Sequence, residues 1–363
     1  SRERALRFGA GDVQRNDQDV AVTNDPRNDE NRVLSQLLLA FVKLHNRVVD
    51  YLRSGASDGL WEGDPERHET EAVREEAQRV VRWHYQWLVV EEFLPQVCDR
   101  SVLDEVRLGD RRIVRTPDDG VSIPVEFGGA AYRYGHSQIR DRYRVNDDRE
   151  VPLFPAPETE DGGAPDLDDL PVDPEDLPVD PEDFPFDPGE EELAEMPEGV
   201  GPDADSLVGF RSVPESLVVD WRYFFAHDAD ADPADPDTTV QPAATIDAAL
   251  PPALFALPAV ETGFDSLAAR NLLRGRALGL PAGQAVADRL GLDPLSNADL
   301  PVDGRSYADV LREFGRGADG EAPLWLYVLC EADAQQDGER LGAVGSRLVA
   351  EVVTGLARAA EST

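Results

Sequence analysis

The histidines are the first place to look for chemistry: His45, His68, His84, His136 and His227. No two of them have HExxH or zinc-finger spacing. No GxSxG elbow, phosphate-binding loop or dinucleotide fingerprint occurs either. Cys98 and Cys330 are too few for a disulfide scaffold or a multi-cysteine zinc site, and read as small buried hydrophobes. His136 has the informative neighbours, in Ala130–Arg140, AAYRYGHSQIR. Gly135 beside it leaves backbone room for a flat, bulky ligand. Arg133 stands one helical turn earlier, on about the same face. An imidazole facing a haem iron, with an arginine near a propionate, has this composition. A buried structural histidine has it too, and the spacing leaves both open. His45, inside a long apolar-periodic stretch, reads as structural. His84 reads as packed among Trp83, Tyr85 and Trp87, and His68 and His227 as exposed.

The elements that would hold these residues are mostly helices. Leu34, Leu37, Leu38, Phe41, Leu44, Val48, Val49 and Leu52 recur at helical spacing, predicting a helix from Arg32 to Leu52 with Asn28 and Asp29 as caps. A second helix is predicted over Glu71 to Phe93, with Val80, Val81, Trp83, Trp87 and Leu88 as its apolar face. A short extended stretch follows at Arg112 to Val114. Small residues and then aromatic ones fill Val125 to Tyr143. Phe264 to Leu278 reads as a helix closed by Gly279 and Pro281. Leu324 to Glu331 and Leu341 to Arg358 supply two more. Strand signals are few, so the fold class is mostly α, within one domain over 1–363.

Residues 157–205 interrupt that domain. Asp169–Glu175 reads DLPVDPE, Asp176–Glu182 repeats it, and Asp183–Gly189 reads DFPFDPG. Two prolines in each seven-residue repeat exclude a coiled coil. The segment reads as a solvated acidic insertion of extended character; a weak cation-binding or docking strip is the alternative.

Composition narrows the function classes. The 363 residues include 73 Asp and Glu against 35 Lys and Arg, a formal charge of −38. That field argues against nucleic acid, whose binding needs cations to displace counterions, and against a polybasic membrane anchor. No apolar run is long enough for a transmembrane segment. Hydrophobic residues make up 41%, too many for wholesale disorder. Lys43 is the one lysine among the bases. An acidic, lysine-poor surface is of the halophilic type, since concentrated salt screens its self-repulsion; GC-rich coding is the other source of so few lysines.

Several segments resemble the animal-type haem peroxidase superfamily, with the bacterial branch the closer look-alike. Asp25–Glu30, DPRNDE, with Phe41–Asp50, FVKLHNRVVD, resembles the catalytic-arginine segment and its following helix. Tyr132–Ile139, YRYGHSQI, resembles the proximal histidine motif. Leu267–Pro281, LAARNLLRGRALGLP, resembles the Asn-x-x-Arg-x-Arg segment. Leu324–Leu356, containing LGAVGSRLVAEVVTGL, resembles the C-terminal helices. The acidic insertion falls outside the resemblance.

The resemblance implies roles. His136 is the implied proximal ligand of a haem b iron, its other ring nitrogen donating to the Asn271 side-chain oxygen. Arg27 is the implied catalytic arginine, stabilising charge on the departing peroxide oxygen. Glu30 matches a carboxylate that forms an ester to a haem methyl in some relatives, and Arg133 and Arg274 are implied at the propionates. Each has a plainer alternative: an ion pair with nearby acids for Arg27, helix capping for Glu30 and Asn271, surface solvation for Arg274. Relatives carry a distal histidine beside a calcium-ligating aspartate upstream of the arginine, and a second calcium segment between. No histidine precedes Arg27 here. The chain therefore reads as the proximal and C-terminal portion of a longer enzyme, or as a diverged relative. Any calcium ligands would lie outside it. The start at Ser1 leaves location open between secreted and cytoplasmic. The implied activity is reduction of hydrogen peroxide with oxidation of a small electron donor or halide, in the response to oxidative stress. The alternatives are a haem-dependent fatty-acid dioxygenase of the same superfamily and a non-catalytic haem-binding module.

Overall fold

Helix α1 (Arg32–Arg53) begins where a side-chain amide meets its first free N–H groups: Asn31 Oδ1 accepts from Val33 N at 2.8 Å. The cap is thus Asn31 rather than Asn28 or Asp29. Those two lie in a preceding 3₁₀ turn, Pro26–Asp29, where the Asp29 side chain is drawn inward by Arg15. The computed structural model describes residues 11–54, 70–113, 123–155, 205–225, 240–257, 265–318 and 320–361. The acidic repeats and His68 and His227 lie outside them. Asp205, at the end of the acidic segment, pairs with Arg149.

Contacts divide the chain into two compact units. The first comprises Ser1–Leu88, Arg142–Ala156 and Glu192–Pro242; the second comprises Val89–Asp141, Pro157–Glu191 and Ala243–Thr363. In the first unit, α1 pairs with α2 (Thr70–Trp87) through Val48, Val49 and Leu52 against Val73 and Ala77. His45 is buried on α1, as expected of a structural histidine. The predicted second helix is a regular helix to Trp87 and a π turn over Leu88–Phe93. Trp83, Trp87 and Leu88 are exposed, so the predicted apolar face is not the buried one. His84 is exposed too, its ring nitrogen 2.8 Å from Val80 O, which corrects the expectation of a packed residue. Periodicity marks an apolar stripe but not whether anything covers it. A two-stranded antiparallel ribbon, β1 (Arg142–Arg144) and β2 (Glu150–Pro152), adds a second small core of Val145, Val151, Leu207, Leu217 and Val219.

The second unit is helical. Short α3 (Leu94–Val97), α4 (Arg100–Arg107) and α5 (Val125–Gly129) lead to a 3₁₀ helix, Ala131–His136. Then come α6 (Leu267–Ala277), α7 (Gly283–Leu290), the tiny ribbon β3 (Pro301–Val302) and β4 (Arg305–Ser306), and α8 (Tyr307–Glu313). Helices α9 (Leu324–Gln336) and α10 (Ala343–Glu361) form its centre. Cys98 and Cys330 are buried in this core, and burial pushes both thiols up to about 12. Arg112 and Ile113 are not extended as predicted. They form a bend whose two amides both donate to the buried Glu351 carboxylate on α10, at 2.8–3.0 Å. The fold class is mostly α, and among the described residues no helix is long and apolar enough to cross a membrane.

A buried carboxylate also starts α10. Glu331 on α9 accepts from Val344 N at 2.9 Å and Gly345 N at 3.2 Å, while Gln335 accepts from Ala343 N at 2.8 Å. A Cβ on Gly342 would stand 2.4 Å from Glu331 Cγ, so the close approach needs glycine. Burial pushes the Glu331 carboxyl from its ordinary 4.5 up to about 7, against the pull of those amides. The folded chain therefore holds a proton there that the unfolded chain releases above 4.5. Its stabilising contribution is complete below pH 4.5 and is lost as pH rises through 7. A shift of that size corresponds to about 3 kcal/mol. Glu331→Gln keeps an acceptor and removes the titration. Measured by denaturant unfolding, the variant is expected to gain about 2–3 kcal/mol relative to the parent between pH 5 and pH 8. An unchanged difference between the two proteins across that range would contradict it.

Candidate functional site

The 3₁₀ helix Ala131–His136 is fixed on both sides. Ala131 and Tyr134 are buried in the core of the second unit, and Trp325 of α9 donates its indole N–H to Arg133 O at 3.3 Å. Ser137 Oγ donates to Tyr134 O at 2.9 Å and closes the end. The small residues ahead of it let α5 approach closely: a Cβ on Gly129 would meet Leu278 at 2.9 Å and Leu280 at 3.1 Å. With three residues per turn, Arg133 and His136 eclipse on one side.

Asn271 comes to that side from α6. Ser266 caps this helix, its Oγ accepting from Ala269 N at 3.3 Å, so Asn271 is not a capping residue. Asn271 is buried, and its amide lies 2.8 Å from His136 Nδ1. The amide nitrogen faces the ring, the reverse of the expected polarity. The two ends of a carboxamide have the same shape, so a half-turn exchanges donor for acceptor in place. With its oxygen inward, Asn271 accepts from Nδ1–H and leaves the Nε2 lone pair open. No hydrogen bond among the described residues uses Nε2. Burial first, and then the positive charges of Arg133 and Arg274, push the His136 pKa down to about 4, so the ring is neutral at pH 7. Arg274 is one turn from Asn271 on α6, and Arg133 Nε donates to Gly128 O at 2.9 Å. A Cβ at Gly135 would meet nothing within 4 Å, so there is open space beside the histidine.

The second unit therefore brings together His136, Asn271, Arg133 and Arg274. A neutral imidazole held from behind by a buried amide, with cations near it and room at the adjacent glycine, is a set of residues that fits a haem. Arg27 and Glu30 belong to the first unit. Arg27 is largely exposed, and its guanidinium forks onto Asp25 at 2.7 and 3.0 Å, holding that carboxyl below its usual range. This is the ion pair foreseen as the alternative. At so exposed a site such a pair is weak and does not bar a second anion. Glu30 is exposed at the end of the 3₁₀ turn and is not the cap of α1. Sequence reasoning passed over Arg15, which binds Asp29 in this turn. Nothing local marks a pairing across fourteen residues. Among the described residues no group of three or more His, Cys, Asp or Glu side chains is placed to hold a metal ion.

Comparison with known proteins bears on this arrangement. Residues 4–162 match the family model described as animal haem peroxidase. No curated protein sequence matches the chain. Among solved structures it is similar to peroxidase A from Dictyostelium discoideum, at 17% identity and a TM-score of 0.55. That match covers 96% of this chain and 54% of the other. It is also similar to the fatty acid alpha-dioxygenase of Oryza sativa, at 14% identity and a TM-score of 0.52, covering 97% of this chain and 55% of that one. The chain thus spans about half the length of these structures. At such identities the likeness is one of fold, and it agrees with the mostly helical architecture expected from the sequence. The part matched by that family model, residues 4–162, carries Arg27, Glu30, Arg133 and His136.

Proposed function

We propose that this chain binds haem b through His136 and serves a haem-dependent peroxidase that reduces hydrogen peroxide and oxidises a small electron donor or halide. The observation that carries the reading is the buried Asn271 amide 2.8 Å from His136 Nδ1, on a neutral ring whose Nε2 is left open. Haem, when bound, supplies the redox chemistry. His136 Nε2 offers the lone pair that holds it. Asn271 keeps the imidazole proton on Nδ1 and the ring in one orientation. Arg133 and Arg274 meet the propionates, where a planar fork suits a carboxylate. Arg27 would steady the negative charge that builds on the departing peroxide oxygen, and Glu30 would supply a carboxylate for holding the haem.

A second reading is a fatty-acid dioxygenase, supported by the similarity to the Oryza sativa enzyme. It expects a radical tyrosine. Tyr132 and Tyr134 flank the histidine motif, but neither is a clear counterpart. One experiment separates the readings. Haem titrated into the 363-residue chain is expected to saturate at one equivalent with a Soret band. The loaded protein is then expected to oxidise a phenolic donor with hydrogen peroxide, and to consume no dioxygen with a polyunsaturated fatty acid. Oxygenated lipid products would favour the dioxygenase. A Soret band without either activity would leave a haem-binding module, and failure to saturate would end all three.

A further inference from the structure

The turn that carries Arg27 and Glu30 is held by a residue with no assigned role. Arg15 lies in the bridged loop Arg15–Ala21 of the first unit, and its side chain is 7% exposed. Its Nη1 and Nη2 donate to the two carboxylate oxygens of Asp29 at 2.8 and 2.7 Å, a bidentate fork. Its Nε donates to Asp12 at 2.7 Å, and Nη1 also reaches Asp19 O at 3.0 Å. Asp29 is itself buried, between Asn28 and Glu30.

The main chain of the turn is clamped from its other side. Phe210 N donates to Asp29 O at 2.7 Å, Gly209 N to Glu30 O at 2.9 Å, and Arg32 N to Leu207 O at 2.8 Å. Asp12 and Asp19 in turn accept from Val213 N and Ser212 N, each at 3.0 Å. Arg15 thus joins three strips of chain: its own loop, the Arg27 turn, and residues 207–213. Arg27 stands on this turn, two residues before Asp29, so the backbone beneath it sets where its guanidinium is offered.

We propose that Arg15 is a positioning residue: through Asp29 it fixes the turn that carries Arg27 and Glu30, and with it the place of the Arg27 guanidinium. This rests on the reading of Arg27 given above. A lysine could keep the charge but not the fork, because one ammonium cannot span both Asp29 oxygens while also holding Asp12 and Asp19. Removing the cation leaves the buried Asp29 carboxylate unpaired, and the turn yields to relieve it.

The test uses the haem-loaded chain with fluoride on the ferric iron, whose charge-transfer band moves with hydrogen bonds donated to the fluoride. Arg27→Gln is expected to shift this band. Arg15→Gln is expected to shift it in the same direction by a comparable amount, the double variant no further, and Arg15→Lys by part of it. In the haem-free chain, exchange of the Gly209 and Phe210 amides should quicken by about tenfold or more in Arg15→Gln. If Arg15→Gln does not fold, the isosteric Asp29→Asn takes its place with the same expectations. A band moved by Arg27→Gln but not by Arg15→Gln or Asp29→Asn would overturn the proposal and leave the reading of Arg27 standing, whatever happens to thermal stability. A band unmoved by Arg27→Gln would remove that reading and the proposal with it.

Discussion

Replacing His136 by alanine is expected to cost the chain its haem. Partners one shell out from a metal ligand are typically worth ~10–100-fold in affinity, so loss of the ligand itself should exceed that range. Asn271→Leu should fall within it, because the ring stays but loses what holds its tautomer. The two variants therefore form an ordered series, with His136→Ala the more severe. The ring is only half-buried, so the truncation should leave the helical circular dichroism near that of the parent. Added imidazole should enter the vacated space beside Gly135 and restore part of the Soret intensity. A variant that bound one equivalent of haem with the parent's spectrum would mean that the ligand lies elsewhere, and the exposed His84 would be the next to replace.

Gly209→Ala is expected to be among the most damaging single changes in the first unit. An added Cβ would stand 1.7 Å from Asp29 O, 2.6 Å from Glu30 C and 2.7 Å from Asn31 N. All three are backbone atoms, so no side chain can swing aside. Relief requires parting residues 209–210 from the turn, which breaks Gly209 N to Glu30 O and Phe210 N to Asp29 O together. Point changes costing more than about 4 kcal/mol are rare and come from mechanisms of this kind. Denaturant unfolding should show a loss of that order. Gly135→Ala, with open space around its Cβ, serves as the contrast and should stay within about 1 kcal/mol of the parent. A Gly209→Ala protein as stable as Gly135→Ala would show that the two strips do not meet as described.

What the sequence made legible follows from the range of each interaction. Helix α1 was readable because its cause is local: apolar residues at helical spacing over 22 positions. The turn at Gly279, where φ is +61°, was readable for the same reason. His136 and Asn271 meet across 135 positions, and a family motif rather than any spacing rule connected them. Where the cause was distant and no motif marked it, the reading went astray. Arg112 and Ile113 look extended until Glu351 takes both amides from 238–239 positions away. Asp29 looks like a cap until Arg15 takes its carboxylate. Helices α4, α7 and α8 have eight, eight and seven residues and were missed; helices so short owe their stability to packing rather than to propensity. Trp83 and Trp87 erred the other way, as apolar spacing without a cover.

The placement of Cys98 and Cys330 has a consequence for a protein proposed to handle peroxide. Oxidation of a cysteine proceeds through its thiolate and needs access. Burial pushes both thiols up to about 12, so the thiol form prevails at neutral pH, and neither is at the surface. The sequence contains a single methionine besides. The thiols of this chain are thereby withheld from the oxidant its site would consume, and the fold protects both of them from self-inactivation.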